Sequence, residues 1–320
     1  MDPIAQEIRI KGRNIHVPSI QLDDCRVIAV GRALRIASIF DEELVERRAL
    51  PDPLRLIREV RSSPLRADVL TFAQRPFGSS EVYDHPMEWD NWAVLRTTSF
   101  KDWWENRLPQ EVRKNVRLAA KRGVVVKRVP FDEELVRGIK TIFDESPVRQ
   151  GRKFWHYGKS LEDVQKENGT YLERSEFIGA YFQEKLIGFI KYVRVDDIAI
   201  LIQFLALTEH REKKPINAIL KQTVELCEQT GISHFIYGKY SYGRNRFNSL
   251  AEFKRRNGFE EIRFPRYYIP LTARGRIAVS TGLHLGLKNM IPDPVYALLV
   301  SARSKLLQAR AFCISEKPTS

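Results

Sequence analysis

Residues 176–207 read EFIGAYFQEKLIGFIKYVRVDDIAILIQFLAL. Three runs rich in β-branched and aromatic residues are parted by two short polar breaks, Glu184-Lys185 and Asp196-Asp197. Breaks this short join antiparallel neighbours, so the stretch predicts a three-strand meander. The third run is apolar almost throughout, the pattern of a strand buried on both faces. Downstream, Ile216, Ile219, Leu220, Thr223 and Cys227 share one helical face, with Pro215 in the first turn and Gly231 at the end. A strand in ISHFIYG (232–238), a helix in NSLAEFKRRNG (248–258) and a last strand in EEIRFPRYYIPL (260–271) complete the order β-β-β-α-β-α-β. The helix that bridges the third and fourth strands demands a parallel pair there. The expectation is an α/β fold: a mixed, mostly antiparallel twisted sheet flanked by helices.

Upstream of the meander, LPQEVRKNVRLAAKRG (108–123) sets Leu108, Val112, Val116, Ala119 and Ala120 on one stripe, closed by Gly123. Arg113, Arg117 and Lys121 recur at i, i+4 and i+8 beside it, a charged face able to grip phosphate or to lie in solvent. VVVKRV (124–129) is a strand. A helix with Leu135, Ile139, Ile142 and Phe143 inward starts near Asp132, and Ser160 with Asp163 forms a capping pattern for another. Nearer the N-terminus, Cys25 to Val30 predicts a strand, and two short helices are expected after Asp41 and after Asp52-Pro53. The turn-rich, aromatic FGSSEVYDHPMEWDNW (77–92) predicts a loop. The expected organisation is a smaller N-terminal α/β part over 1–100, the main domain over 101–272 and a C-terminal helical extension over 273–320.

Composition limits the function classes. Lys and Arg number 53 against 40 Asp and Glu, a formal charge of +13 that favours anionic partners such as phosphate-bearing cofactors, nucleic acid or an anionic membrane. Cys25, Cys227 and Cys313 are far apart, which argues against a disulfide framework and for a reducing cytoplasm. No apolar run approaches the ~20 residues of a membrane span, and no signal-type segment opens the chain. P-loop, GxSxG, HExxH and CxxC patterns are absent, and six scattered histidines give no reason to expect a metal.

The element order resembles the GNAT superfamily of acyltransferases, and the ending Asn248-Ser-Leu-Ala-Glu-Phe253-Lys254-Arg-Arg-Asn-Gly258-Phe259 carries the resemblance most specifically. Phe253-Lys254 followed by Gly258-Phe259 is similar to the Fem-type aminoacyltransferases, as is the Arg- and Lys-rich helix 108–123. The N-terminal part is similar to a reduced first GNAT half. The resemblance implies transfer of an acyl or aminoacyl group from a thioester or ester donor, acyl-CoA or another activated acyl species, to an amine on an envelope-type sugar or lipid. In the Fem branch the donor is aminoacyl-tRNA, which makes tRNA a partner to expect.

The same resemblance implies roles for particular residues. Lys254 would bind a phosphate or stabilise the tetrahedral oxyanion. A bulge near Gln203–Leu207 would free a backbone N–H for that oxyanion. Gln203 is itself a polar residue amid apolar ones, facing a cleft or satisfied by a neighbouring strand. GNAT enzymes usually carry a glycine-rich Arg/Gln-x-x-Gly-x-Gly/Ala turn where the third meander strand meets the helix. Here Arg211 to Ala218 has no glycine, which weakens the case for coenzyme A. Arg211, Lys213, Lys214 and Asn217 would meet a donor or phosphate, with Asn248 opening the last helix; screened surface charge is the other reading of the cations. Arg113, Arg117 and Lys121, with Lys239, Tyr240 and Tyr242 in the loop after a strand, would meet the acceptor.

Beyond the last strand, Leu298, Leu299, Ala302, Leu306 and Ala309 fall on one side of a basic helix. Such a segment, over 275–312, lies on an anionic membrane or packs on protein. The protein is thus expected in the cytoplasm, peripheral to the inner membrane face. A tRNA-binding protein on a GNAT scaffold, or a non-catalytic assembly domain, are the alternatives.

Overall fold

The computed structural model describes residues 3–10, 13–77, 83–149, 151–241 and 249–286. Its elements follow from local chemistry. Strands β1 (Ile4–Ile10) and β2 (Arg13–Leu22) form a hairpin, and β3 (Cys25–Val30) folds back through Asp23 in the left-handed region. Strand β4 (Ile36–Ile39) pairs antiparallel with β3. Helix α1 (Pro53–Ser62) opens on Asp52, whose carboxylate accepts from the Arg55 N–H at 3.0 Å. It leads into β5 (Val69–Ala73), which pairs in parallel with β4. Then come β6 (Met87–Arg96), α2 (Gln110–Lys121), β7 (Val125–Arg128), α3 (Glu133–Phe143) and α4 (Leu161–Asn168). The meander is β8 (Ser175–Phe182), β9 (Lys185–Val195) and β10 (Ile198–Ala206). Helix α5 (Pro215–Gln229), β11 (His234–Ile236), α6 (Ser249–Arg256), β12 (Glu260–Pro270) and α7 (Ala273–Ser280) complete the described chain.

The chain forms two compact units. The first comprises Met1–Ala93, Lys239–Arg246 and Glu261–Pro292. Its strands run in the order β1-β2-β3-β4-β5-β12. Val27, Ala37, Leu65, Leu70 and Tyr267 form its fully buried centre, with Leu56 and Val60 of α1 against them. Tyr267 sits on β12 opposite Phe72 of β5, so the last strand of the sequence completes this N-terminal sheet.

The second unit comprises Val94–Gly238, Phe247–Glu260 and Asp293–Ser320, and holds the order β6-β11-β10-β9-β8-β7, to which β6 gives Val94–Arg96. The meander is antiparallel throughout, and β10 pairs with β11 in parallel across α5, as a helix between two strands requires. Helices cover both faces. A Cβ on Gly188 would come within 3.3 Å of Ile219 on α5, whereas the Phe189 ring, pointing the other way, lies 6.4 Å from that of Phe143 on α3. The predicted caps hold: Asp132 accepts from the Leu135 N–H, Ser160 from the Asp163 N–H, and Gly123 ends α2 at φ +78°.

Four expectations are corrected. The segment after Asp41 forms two 3₁₀ turns rather than a helix, because Glu42 is drawn out to the Ala73 N–H and to Arg266. Asp41, at φ 47°, makes no side-chain cap. The stretch 77–92 is not loop throughout, since β6 begins at Met87. Ala120 is exposed and lies off the stripe that buries Val112 and Ala119. Strand β10 is fully buried only over Ile198–Ile200 and half-buried from Leu201 to Ala206. That last difference marks the candidate site. Of the C-terminal extension, α7 is described, while residues 287–320, where the amphipathic helix is expected, lie outside the described residues.

Candidate active site

Within the second unit β10 and β11 pair over three positions only, Ile198↔His234 to Ile200↔Ile236. Beyond them β10 runs on to Ala206 along β9 alone, and β11 ends. The sheet splits at this point, which is why the apolar Leu201–Ala206 is half-buried. Across β9 the register passes from Lys191↔Gln203 to Tyr192↔Leu201, so Ile202 is an extra residue. This is a β-bulge at the start of the split; a bulge leaves a backbone group outside the ladder and re-aims the strand. It falls one residue before the expected interval.

Aromatic rings occupy the split. Phe204 lies 6.0 Å from Tyr237 and 6.4 Å from Phe253, and Tyr237 lies 5.7 Å from Phe259. Helix α6 delivers Lys254 here, at 0 % exposure, with its ammonium 4.7 Å from the Tyr237 ring centroid. Burial pushes the Lys254 pKa down to about 8. The end of α6 is fixed from a distant segment. Trp103, 1 % exposed, donates its indole N–H to the Asn257 carbonyl at 2.9 Å, and the Phe259 N–H bonds the Lys254 carbonyl at 3.0 Å. Gly258, at φ +81°, has the Trp103 ring 3.2 Å from where a Cβ would stand. Trp103 itself belongs to a five-residue π-helical turn, Trp103–Arg107. Trp103→Phe removes the one donor to Asn257 on the indole and shrinks a packed ring. It is expected to cost roughly 2 kcal/mol in urea unfolding.

Gln203 and Phe204 point to opposite faces, as successive strand residues do. Gln203 therefore shares a face with its partner Lys191 rather than with Phe204 and its aromatic neighbours. Its Oε1 is buried and accepts no hydrogen bond among the described residues. Lys191, fully buried, donates to the carbonyls of Asn168 (2.8 Å) and Thr170 (2.7 Å) just past α4, and its pKa is also pushed down to about 8 by burial.

The other expected residues are spread more widely. Arg113 is tied to the carbonyls of Trp104 and Glu105, at 2.9 and 2.6 Å, while Arg117 and Lys121 are exposed. The three cations thus do not act as one stripe, because Arg113 is spent on the π-turn. Arg211 is exposed; Lys213 lies 4.1 Å from the Phe182 ring centroid and pairs with Glu212; Asn217 is half-buried on α5. Lys214, at φ 58°, occupies the position before Pro215. Lys239 and Tyr240 belong to the first unit, where Lys239 pairs with Asp90 at 2.8 Å. Tyr242 and Asn248 lie outside the described residues.

A coenzyme A pyrophosphate would need backbone donors between β10 and α5. The Leu207 N–H bonds Ile187, those of Thr208 and Glu209 bond the Glu145 carboxylate, and those of His210, Arg211, Lys213 and Lys214 bond carbonyls within the turn. Glu212 folds its carboxylate onto its own N–H, which holds its pKa below the usual carboxylate range. The segment as it stands does not fit a pyrophosphate.

No family model matches the sequence, and no curated protein is matched by it. Solved structures are matched by fold. The DUF2156 C-terminal domain assigned to a lysylphosphatidylglycerol synthetase from Agrobacterium fabrum aligns with a TM-score of 0.54 at 16% identity, covering 81% of this chain and 86% of that one. FemX aligns at 0.52 and 11%, over 82% and 88%. L-PGS from Bacillus licheniformis aligns at 0.54 and 13%, over 81% and 86%. This chain has the GNAT-like fold, in the form it shares with FemX and the lysylphosphatidylglycerol synthetase domains.

Proposed function

We propose that the chain is an acyl- or aminoacyltransferase that moves its group from an ester donor to the amine of a lipid-linked acceptor in an anionic membrane. One observation carries this: a fully buried lysine, its pKa lowered to about 8, held where β10 and β11 part beside a β-bulge. In the reaction the amine nitrogen attacks the ester carbonyl, the C–N bond forms, the C–O bond breaks and the amine proton ends on the leaving oxygen. Lys254, protonated near neutral pH yet ready to give up its proton, supplies charge to the tetrahedral oxyanion and a proton to the leaving oxygen. The bulge at Ile202 supplies a backbone N–H to the same oxyanion, while Gln203, on the opposite face of β10 beside Lys191, takes no part.

An ester donor such as aminoacyl-tRNA is favoured over acyl-CoA, because the backbone N–H groups from Leu207 to Lys214 are already engaged by carbonyls and carboxylates. The lipid-linked acceptor is supported by the names of two of the structural neighbours and by the net charge of +13. No helix among the described residues is long and apolar enough to cross a membrane, so the acceptor would be met at a bilayer surface.

The test offers labelled aminoacyl-tRNA or labelled acyl-CoA, in separate reactions, with vesicles of phosphatidylglycerol and phosphatidylethanolamine. Base-stable label in the lipid from the ester donor is expected. Label from acyl-CoA alone would overturn the donor assignment, and no label from either would overturn the function.

A further inference from the structure

We propose that Glu145 selects the donor class: its carboxylate is a built-in anion seated in the turn between β10 and α5, and it bars pyrophosphate-bearing donors from that seat. Glu145 follows the end of α3 and accepts from two consecutive backbone N–H groups, Thr208 and Glu209 (3.1 Å), and from the Thr208 hydroxyl at 3.0 Å. Two successive N–H groups converging on one carboxylate make the concave donor set that elsewhere holds a phosphate. A cation completes it. Arg149 pairs with the same carboxylate at 2.8 Å and is itself braced by the carbonyls of Ile142 (2.7 Å) and Ala206 (3.2 Å). Both side chains are mostly buried, at 18 % and 16 % exposure for arginine and glutamate. Arg149 Nε is buried and makes no hydrogen bond among the described residues, so the guanidinium holds a donor in reserve.

The charge count makes the seat selective. With Glu145 present, two N–H groups, one hydroxyl and one guanidinium face one carboxylate, and the site is neutral. A second anion would meet that carboxylate head-on. Without Glu145 the same donors face nothing, and a buried arginine is left without its counter-ion, a state that strongly favours taking up an anion. The seat borders a cavity of about 670 Å³ lined by Arg137, Lys140, Asp144, Leu161, Leu207 and Glu209.

The consequence for donor choice rests on the acyltransferase reading, whereas the seat itself is tested by binding without turnover. Inorganic pyrophosphate is titrated by calorimetry into the full-length protein and into Glu145→Ala, Glu145→Gln and Glu145→Ala/Arg149→Ala. The wild type is expected to show no binding at millimolar pyrophosphate. Both single variants should bind at least about tenfold more tightly, and the double variant should lose that gain. Glu145→Gln preserves size and fold should Glu145→Ala unfold. Folded single variants that bind no better than the wild type would overturn the proposal, as would wild-type binding that the Glu145 variants leave unchanged. Gained pyrophosphate binding in a protein that transfers nothing to lipid would retain the seat and discard the transferase.

Discussion

Lys254→Met is expected to stop transfer and to flatten the rise of stability with pH. The two effects have one cause. Burial lowers the lysine pKa from 10.5 to about 8. Methionine fills a similar volume beside Phe253 and Tyr237 but carries no titrating group. Transfer should fall by roughly a hundredfold or more, the scale of one oxyanion donor. The pH dependence gives a second reading. Below pH 8 the lysine is protonated in both folded and unfolded chains, and the cost of burying its charge is present in full. Between about 8 and 10.5 the folded state sheds the proton while the unfolded state keeps it, so stability rises with pH. In Lys254→Met that rise, read from urea unfolding, should shrink. A variant that keeps full activity, or that keeps the full rise of stability between pH 8 and 10.5, would count against the site.

Lys191→Met should destabilise the protein through lost hydrogen bonds, although burial displaces the Lys191 pKa as far as that of Lys254. Lys191 holds the carbonyls of Asn168 and Thr170 and lies 3.2 Å from the Thr170 hydroxyl. Even as a neutral amine it still donates to both carbonyls, and near Glu167 and Glu173 its charge is partly supported. Methionine leaves two buried carbonyls without donors at the C-terminal end of α4, at about 1–3 kcal/mol each, and removes a cation from the negative end of that helix. These losses outweigh the relief from burying the charge, and a net destabilisation of about 1–3 kcal/mol is expected in the same unfolding experiment. A stabilised Lys191→Met would mean that the hydrogen bonds of Lys191 contribute nothing.

The two lysines also show why part of the site was legible in the sequence and part was not. Lys254 was found through the Phe253-Lys254…Gly258-Phe259 ending, a local signature whose helix and glycine turn are set by neighbouring residues. Lys191 stands alone in an apolar strand, the same kind of signal that drew attention to Gln203, and it was passed over because nothing local shows what lies above the strand. Glu145 and Trp103 had no signal. Each acts on a segment far away in sequence, Glu145 on Thr208 and Glu209, Trp103 on Asn257.

The sequence by itself determined the elements that depend on neighbours a few residues apart. These are the meander with its short polar breaks, α5 between Pro215 and Gly231, the caps at Asp52, Asp132 and Ser160, and the parallel pair that a bridging helix requires. Tertiary structure alone decided which sheet the last strand completes, that β10 is released from β11 after Ile200, and that Arg113 is consumed by a π-turn. It also decided that a carboxylate fills the turn before α5. Periodicity and capping act through the local backbone, whereas strand partners, burial of a charge and the filling of an anion seat depend on segments that only folding brings together.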